Sequence, residues 1–173
     1  MLANRTLKTR SEPLELVRAR ELGGVASLLD LRQCSSFEGQ AAMDLEFAAD
    51  PGELGAYPMP LLPGTPMLLD WEPLVRALLA DRASGLPVSV IAARVWRGFA
   101  RAIVRVAEVV GIETVALGGG CFQNRLLTEW SAGALQQAGL RVLLHSRTPP
   151  NDGCIALGQV AVAAATLRQN ETR

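Results

Sequence analysis

From Val88 to Val110 the apolar side chains Ile91, Val95, Phe99, Ile103, Val106 and Val110 recur every three or four residues. That spacing lines them up along one face of an α-helix. Pro87 stands where a helix can begin, and Gly111 stands where one can end in a left-handed cap. Then the period changes. Thr114-Val115-Ala116-Leu117 is a short apolar run halted by Gly118-Gly119-Gly120, which predicts a buried strand feeding a tight loop. Asn124 to Ala138 predicts a helix closed by Gly139, Arg141 to His145 a second strand, and Gly153 to Thr166 a last helix. Strand, glycine loop, helix, strand, loop, helix is the order of an α/β fold, because parallel strands need a crossover and a helix supplies it.

The first half is less regular. Leu14, Val17, Val25, Leu28 and Leu29 fall near helical spacing, interrupted by Gly23-Gly24. A second helical stretch from about Glu38 to Ala49 carries a small apolar stripe at Ala41, Ala42, Leu45 and Ala48. Residues 50–66 are rich in proline and glycine and predict turns with short strands at Ala56–Met59 and Met67–Asp70. Pro73 suits the first turn of a further helix, followed by Leu74, Leu78 and Leu79. No internal repeat interrupts this order.

Composition narrows the function. The chain has 173 residues, 49% of them hydrophobic, which is enough apolar material for the core of one domain or a large part of one. Seventeen basic residues balance seventeen acidic ones, so no overall field draws the chain to nucleic acid or an anionic membrane. The basic opening, MLANRTLKTR, reads as a solvated terminus. It lacks the apolar core of a signal peptide, and no run approaches the roughly 18 apolar residues of a membrane span. Three distant cysteines, Cys34, Cys121 and Cys154, and the single histidine His145 form neither a zinc pattern nor a disulfide framework. A reducing cytoplasm is the expected compartment.

Three stretches could carry chemistry. In Gly118-Gly119-Gly120-Cys121-Phe122-Gln123-Asn124, glycines allow close backbone approach to a ligand and the following helix start offers free N–H groups suited to a phosphate. Asn124 could hydrogen-bond a sugar or base edge. The competing reading is a plain strand-to-helix turn, and the spacing fits neither a dinucleotide fingerprint nor a P-loop. In Pro149-Pro150-Asn151-Asp152-Gly153-Cys154, Asn151 and Asp152 are either a helix cap or a carboxylate set beside a nucleotide loop. In Ser36-Phe37-Glu38-Gly39-Gln40, acidic Glu38 most simply serves the dipole of the helix it opens, with a ligand role as the lesser reading. His145 reads as structural or exposed, and the loop cysteines Cys121 and Cys154, which could lie near each other, read as small buried side chains.

Taken in order, the three stretches resemble the C-terminal segment of the hydrogenase-maturation carbamoyltransferase family, HypF. Where members carry SYEGQAAMELE, SGGVFQN and PPNDGGIALGQ, this chain has SFEGQAAMDLE, GGGCFQN and PPNDGCIALGQ, within a match over residues 24–167. The resemblance implies an actin/hexokinase-like (RNase H-like) α/β lobe, with a mixed sheet and flanking helices, similar to the tRNA threonylcarbamoyladenosine synthase family. It implies transfer of a carbamoyl group from carbamoyl-adenylate, made with ATP, to the C-terminal cysteine of a HypE-like partner. It also assigns Gly118, Gly119, Gly120 and Asn124 to nucleotide or substrate and Asp152 to a divalent metal.

The departures are as informative. Members bind metal through an HxxxH-like histidine pattern in an earlier half of the domain, whereas this chain has one histidine. A G-R-L-F-D pattern becomes Ala19-Arg20-Glu21-Leu22-Gly23, a Phe-His pair becomes Val95-Trp96, and one glycine of the DGG becomes Cys154. Residues 1–23 form a divergent segment and residues 168–173 a polar tail. The expectation is therefore a partial lobe, active only with a complementing lobe, or else a non-catalytic remnant or accessory module that binds nucleotide or a partner. A lobe shaped for a two-lobe cleft is expected to leave an apolar face open and to self-associate when alone.

Overall fold

The computed structural model describes residues 19–64 and 67–171, and the expectations placed on residues 1–18 lie outside them. Six helices follow in chain order: α1 (Ala19–Leu28), α2 (Gln40–Ala48), α3 (Glu72–Ala83), α4 (Val88–Val110), α5 (Arg125–Gln137) and α6 (Ile155–Glu171). Four short strands accompany them: β1 (Leu61–Leu62), β2 (Leu68–Leu69), β3 (Thr114–Ala116) and β4 (Arg141–Leu143). The fold is mixed α/β with flanking helices. Its strands form two separate pairs, β1–β2 antiparallel and β3–β4 parallel. No described helix is long and apolar enough to cross a membrane.

Helix α4 organises the core. Its ends fall where the sequence predicts, with Gly111 in the left-handed region at φ 69° donating its N–H to the Ala107 and Glu108 carbonyls. Ile91, Val95, Phe99, Ile103 and Val106 are buried as expected, whereas Val110 surfaces at the open end. The burial extends well beyond one stripe, to Ala92, Trp96, Ala102 and Ala107, because α2, α3 and α5 all pack around the helix. Trp71 meets Phe99 edge-on, with ring centroids 4.8 Å apart, a favoured aromatic geometry. Helix α1 runs unbroken through Gly23-Gly24, since Leu22, Val25, Ala26 and Leu29 anchor it in the core.

The Pro/Gly-rich excursion differs from expectation. The ladder pairs Leu61 with Leu69 and Leu62 with Leu68, so Ala56–Met59 is no strand. That stretch instead lies across α4, where the Tyr57 N–H donates to the Arg94 carbonyl at 3.1 Å. The Tyr57 hydroxyl donates to Asp81 at 2.7 Å, and Arg94 bridges Asp81 at 2.8 Å and Glu53 at 3.4 Å. Burial, and then the Asp81 carboxylate, push the Tyr57 hydroxyl far above its ordinary range. A raised folded value favours the neutral phenol, so its contribution to stability is full below about pH 10, the unfolded value, and is lost as pH rises towards the folded one. Tyr57 is the sole tyrosine, so tyrosinate absorbance reads it directly. A pH titration is expected to show no ionisation near pH 10 while the chain is folded, then ionisation together with unfolding at higher pH. Ionisation near pH 10 in the folded chain would show that the clamp is open in solution.

The parallel pair carries the candidate site. Thr114, Val115 and Ala116 face Arg141, Val142 and Leu143, and the Leu117 N–H extends the ladder to the Leu143 carbonyl at 3.0 Å. The expected buried strand is a correction: Leu117 is buried, but Thr114 and Ala116 are exposed. Val115 and Val142 of this two-stranded sheet pack against the core, while Thr114, Ala116, Arg141 and Leu143 are exposed. Helix α6 begins after a short 3-10 turn at Asp152–Cys154 and continues through the expected polar tail to Glu171. Every residue from 155 to 168 is exposed, including Ile155, Leu157, Val160, Val162 and Leu167.

Candidate functional site

The two loops that follow β3 and β4 meet at the carboxyl ends of the strands, the usual place for ligands in open α/β sheets. The Gly119 N–H donates to the Pro150 carbonyl at 2.6 Å, tying Gly118–Asn124 to Pro149–Asp152. Gly119 holds φ at 100°, in the region that favours glycine. Gly118 lies close under His145, where a Cβ would sit 3.3 Å from the ring Nε2. His145 is exposed, and its Nδ1 lies 3.0 Å from Thr148 Oγ1 in the loop that follows β4.

Gly120–Gln123 forms a 3-10 turn, and Asn124 then caps α5 through Oδ1, which accepts from the Leu127 N–H at 2.7 Å. Its other side-chain atom, Nδ2, is buried without a partner among the described residues. Thr128 Oγ1 donates within reach of the Phe122 and Asn124 carbonyls at 2.9 and 2.8 Å, bracing the turn.

The expectation of free N–H groups at the start of α5 is overturned. Glu46 of α2 accepts from the Arg125 N–H at 2.8 Å and the Leu126 N–H at 3.2 Å. Leu127 donates to Asn124 Oδ1 and Thr128 to the Asn124 carbonyl, so all four leading donors are taken. Sequence reasoning singled out Glu38 and missed Glu46 in the same motif. Glu38 is exposed and precedes Gly39, whose φ of 83° makes it the N-cap residue, so Glu38 lies outside the first turn. One signal for Glu46 was present: the first turn of α5 offers Arg125 but no acid, so its positive end needs a carboxylate from elsewhere.

Asn151 takes the capping role in the second loop, accepting from the Gly153 N–H at 3.1 Å. The Asp152 side chain is thereby left exposed, its carboxylate without a protein partner among the described residues. No group of three or more histidine, cysteine, aspartate or glutamate side chains that could hold a metal forms among the described residues. Asp152 thus fits as one ligand of an ion, not as a complete site. Cys121 and Cys154 are both half-buried beside these loops, not fully enclosed.

Residues 17–159 match the family profile described as the second subdomain of a carbamoyltransferase Kae1-like domain. Curated relatives include carbamoyltransferase HypF of Synechocystis sp., 38% identical over 150 residues that cover 86% of this chain and 19% of the relative. HypF of Rhodobacter capsulatus is 39% identical over 162 residues, covering 91% and 21%. Among solved structures, full-length HypF in its phosphate- and nucleotide-bound form superposes with a TM-score of 0.80 at 33% identity, covering 86% of this chain and 20% of that one. HypF of T. kodakarensis superposes at 0.71 with 25% identity, covering 87% and 20%. The chain spans about a fifth of the length of these relatives. The chain belongs to the HypF carbamoyltransferase family and corresponds to the second subdomain of its Kae1-like domain.

Proposed function

We propose that this chain supplies the second half of a carbamoyltransferase site in hydrogenase maturation. In this reading the completed site transfers a carbamoyl group from carbamoyl-adenylate to the C-terminal cysteine of a HypE-like protein, in the cytoplasm. The observation that carries it is the Gly119–Pro150 hydrogen bond, which joins the glycine loop to the Asn151-Asp152 loop at one end of the parallel strands. Gly118, Gly119, Gly120 and Asn124 receive the nucleotide-like substrate, and Asp152 contributes one ligand to a divalent metal. ATP or carbamoyl-adenylate is the expected cofactor or substrate.

Such an ion would stabilise negative charge on the phosphoryl group. The chain's own part is to orient: capping locks the Asn124 side chain, and the inter-loop bond fixes the spacing of the two loops. Catalysis needs several groups placed together. A complementing lobe is therefore proposed to complete the site, and the lone chain is expected not to turn over. A second reading, a non-catalytic remnant or nucleotide- and partner-binding module, draws support from the single exposed carboxylate and the lack of a metal cluster among the described residues.

Calorimetric titration with ATP and Mg²⁺ separates the two. Asn124→Ser is the telling variant, because a hydroxyl preserves the cap while deleting the amide donor and places no second charge beside Glu46. Binding that falls by about tenfold or more in Asn124→Ser, with melting unchanged, and that loses its Mg²⁺ dependence in Asp152→Ala, supports the half-site. Nucleotide affinity that neither substitution alters would sink the site assignment.

A further inference from the structure

The N-terminus of α5 is filled by the protein's own anion. Glu46 reaches it from a helix 79 positions earlier in the chain and accepts from both leading N–H groups. An α-helix start presents unpaired donors and partial positive charge, so it ordinarily attracts phosphate or carboxylate. Here that position is occupied, and a second anion would meet the Glu46 charge at close range. The remaining polar group of the loop is of the opposite kind. Asn124 Nδ2 is a neutral donor, buried and without a partner among the described residues, while Gly118, Gly119 and Gly120 earlier in the same loop are exposed.

We infer that Glu46 is a specificity-determining residue: its carboxylate fills the anion position at the start of α5, so the Gly118–Asn124 loop accepts an uncharged, hydrogen-bond-accepting part of the ligand and refuses a phosphate. The ligand part that fits is the nucleoside portion, through a hydroxyl, carbonyl or ring-nitrogen acceptor. This rests on the reading that the loop binds a nucleotide-like substrate. Glu46 acts through α5 and not by touching the ligand, which makes it a positioning residue for Asn124 as well.

The test follows backbone amide resonances of the full chain during separate titrations with inorganic phosphate and with adenosine. In the native chain the Arg125 and Leu126 amides are expected to ignore phosphate. In Glu46→Ala they should respond to it, with phosphate raising the melting temperature of that variant alone. Glu46→Gln keeps the acceptor and should resemble the native chain towards phosphate, which separates an occupied donor pair from bare charge. Adenosine affinity should fall by about tenfold in Glu46→Ala and recover in Glu46→Gln. Phosphate shifts at Arg125 and Leu126 in the native chain would overturn the inference without any variant needing to fold. So would a Glu46→Ala chain that stays silent to phosphate while remaining folded. If the native chain binds neither ATP nor adenosine, the functional reading fails, yet the phosphate titrations still decide the role of Glu46.

Discussion

Gly98→Ala is expected to destabilise the chain by about 1–2 kcal/mol, reversing the usual gain of about 0.5–1 kcal/mol for that change inside a helix. The reason is the crossing of Tyr57 over α4. A Cβ at position 98 would stand 2.9 Å from the Tyr57 carbonyl oxygen and 3.7 Å from Leu74 Cδ1. The clash is with backbone, not the far end of a flexible side chain, so relief requires the whole 56–59 stretch to lift. Lifting it lengthens the Tyr57–Arg94 backbone bond and pulls the phenol from Asp81. Gly133 in α5 is a matched control, since a Cβ there meets nothing within 4 Å. Gly133→Ala should therefore stabilise by about 0.5–1 kcal/mol. In thermal melts the two variants should move in opposite directions, with Gly98→Ala falling by roughly 3–6 °C. A Gly98→Ala chain that melts no lower than the native one would mean the 56–59 segment does not bear on the helix in solution.

Local pattern made α4 legible to the residue, because its stripe, its opening proline and its closing Gly111 are all near-neighbour signals. The parallel pair was legible in its strand–helix–strand order, which leaves little topological freedom, but not in its exact ends or its burial. What escaped was long-range. Tyr57 lies on α4 instead of in a ladder because Gly98 leaves room for it, and that fit joins residues 41 positions apart. Glu46 escaped for the same reason: its function is defined by donors on another helix. The site's residue types were legible in the motifs, but the allocation of roles was not. Asn151 caps, Asp152 stands free, and the helix start that seemed to invite phosphate is closed. In each case local preference was right about a turn or helix start, and tertiary partners then decided which atoms remained available.

Leu157→Glu and Val162→Glu, made separately, should each weaken the self-association expected of the purified chain by at least about tenfold. Leu157, Val160 and Val162 are 57%, 65% and 68% exposed, and Gln159 is the one polar residue between Ile155 and Ala165. A helix apolar all round is normally buried all round. Alone, α6 presents a continuous apolar surface, and burying one such side chain is worth about 1.5–3 kcal/mol, so removing one should weaken association by at least about tenfold. Positions 157 and 162 lie about 140° apart at 100° per residue, on opposite sides of the helix. Simple pairing of two copies would bury one side, and one substitution would then act alone. Equal sensitivity on both sides points to a helix that needs enclosure, which the proposed complementing lobe would provide. Sedimentation of the two variants beside Phe47→Ser is the check, because Phe47 heads a separate exposed apolar face with Met43. Association that survives both α6 variants and vanishes in Phe47→Ser would move the sticky surface to α2. Association lost in both α6 variants, together with a chain kept monomeric by a polypeptide carrying the first subdomain, would make α6 the element that binds the lobes together.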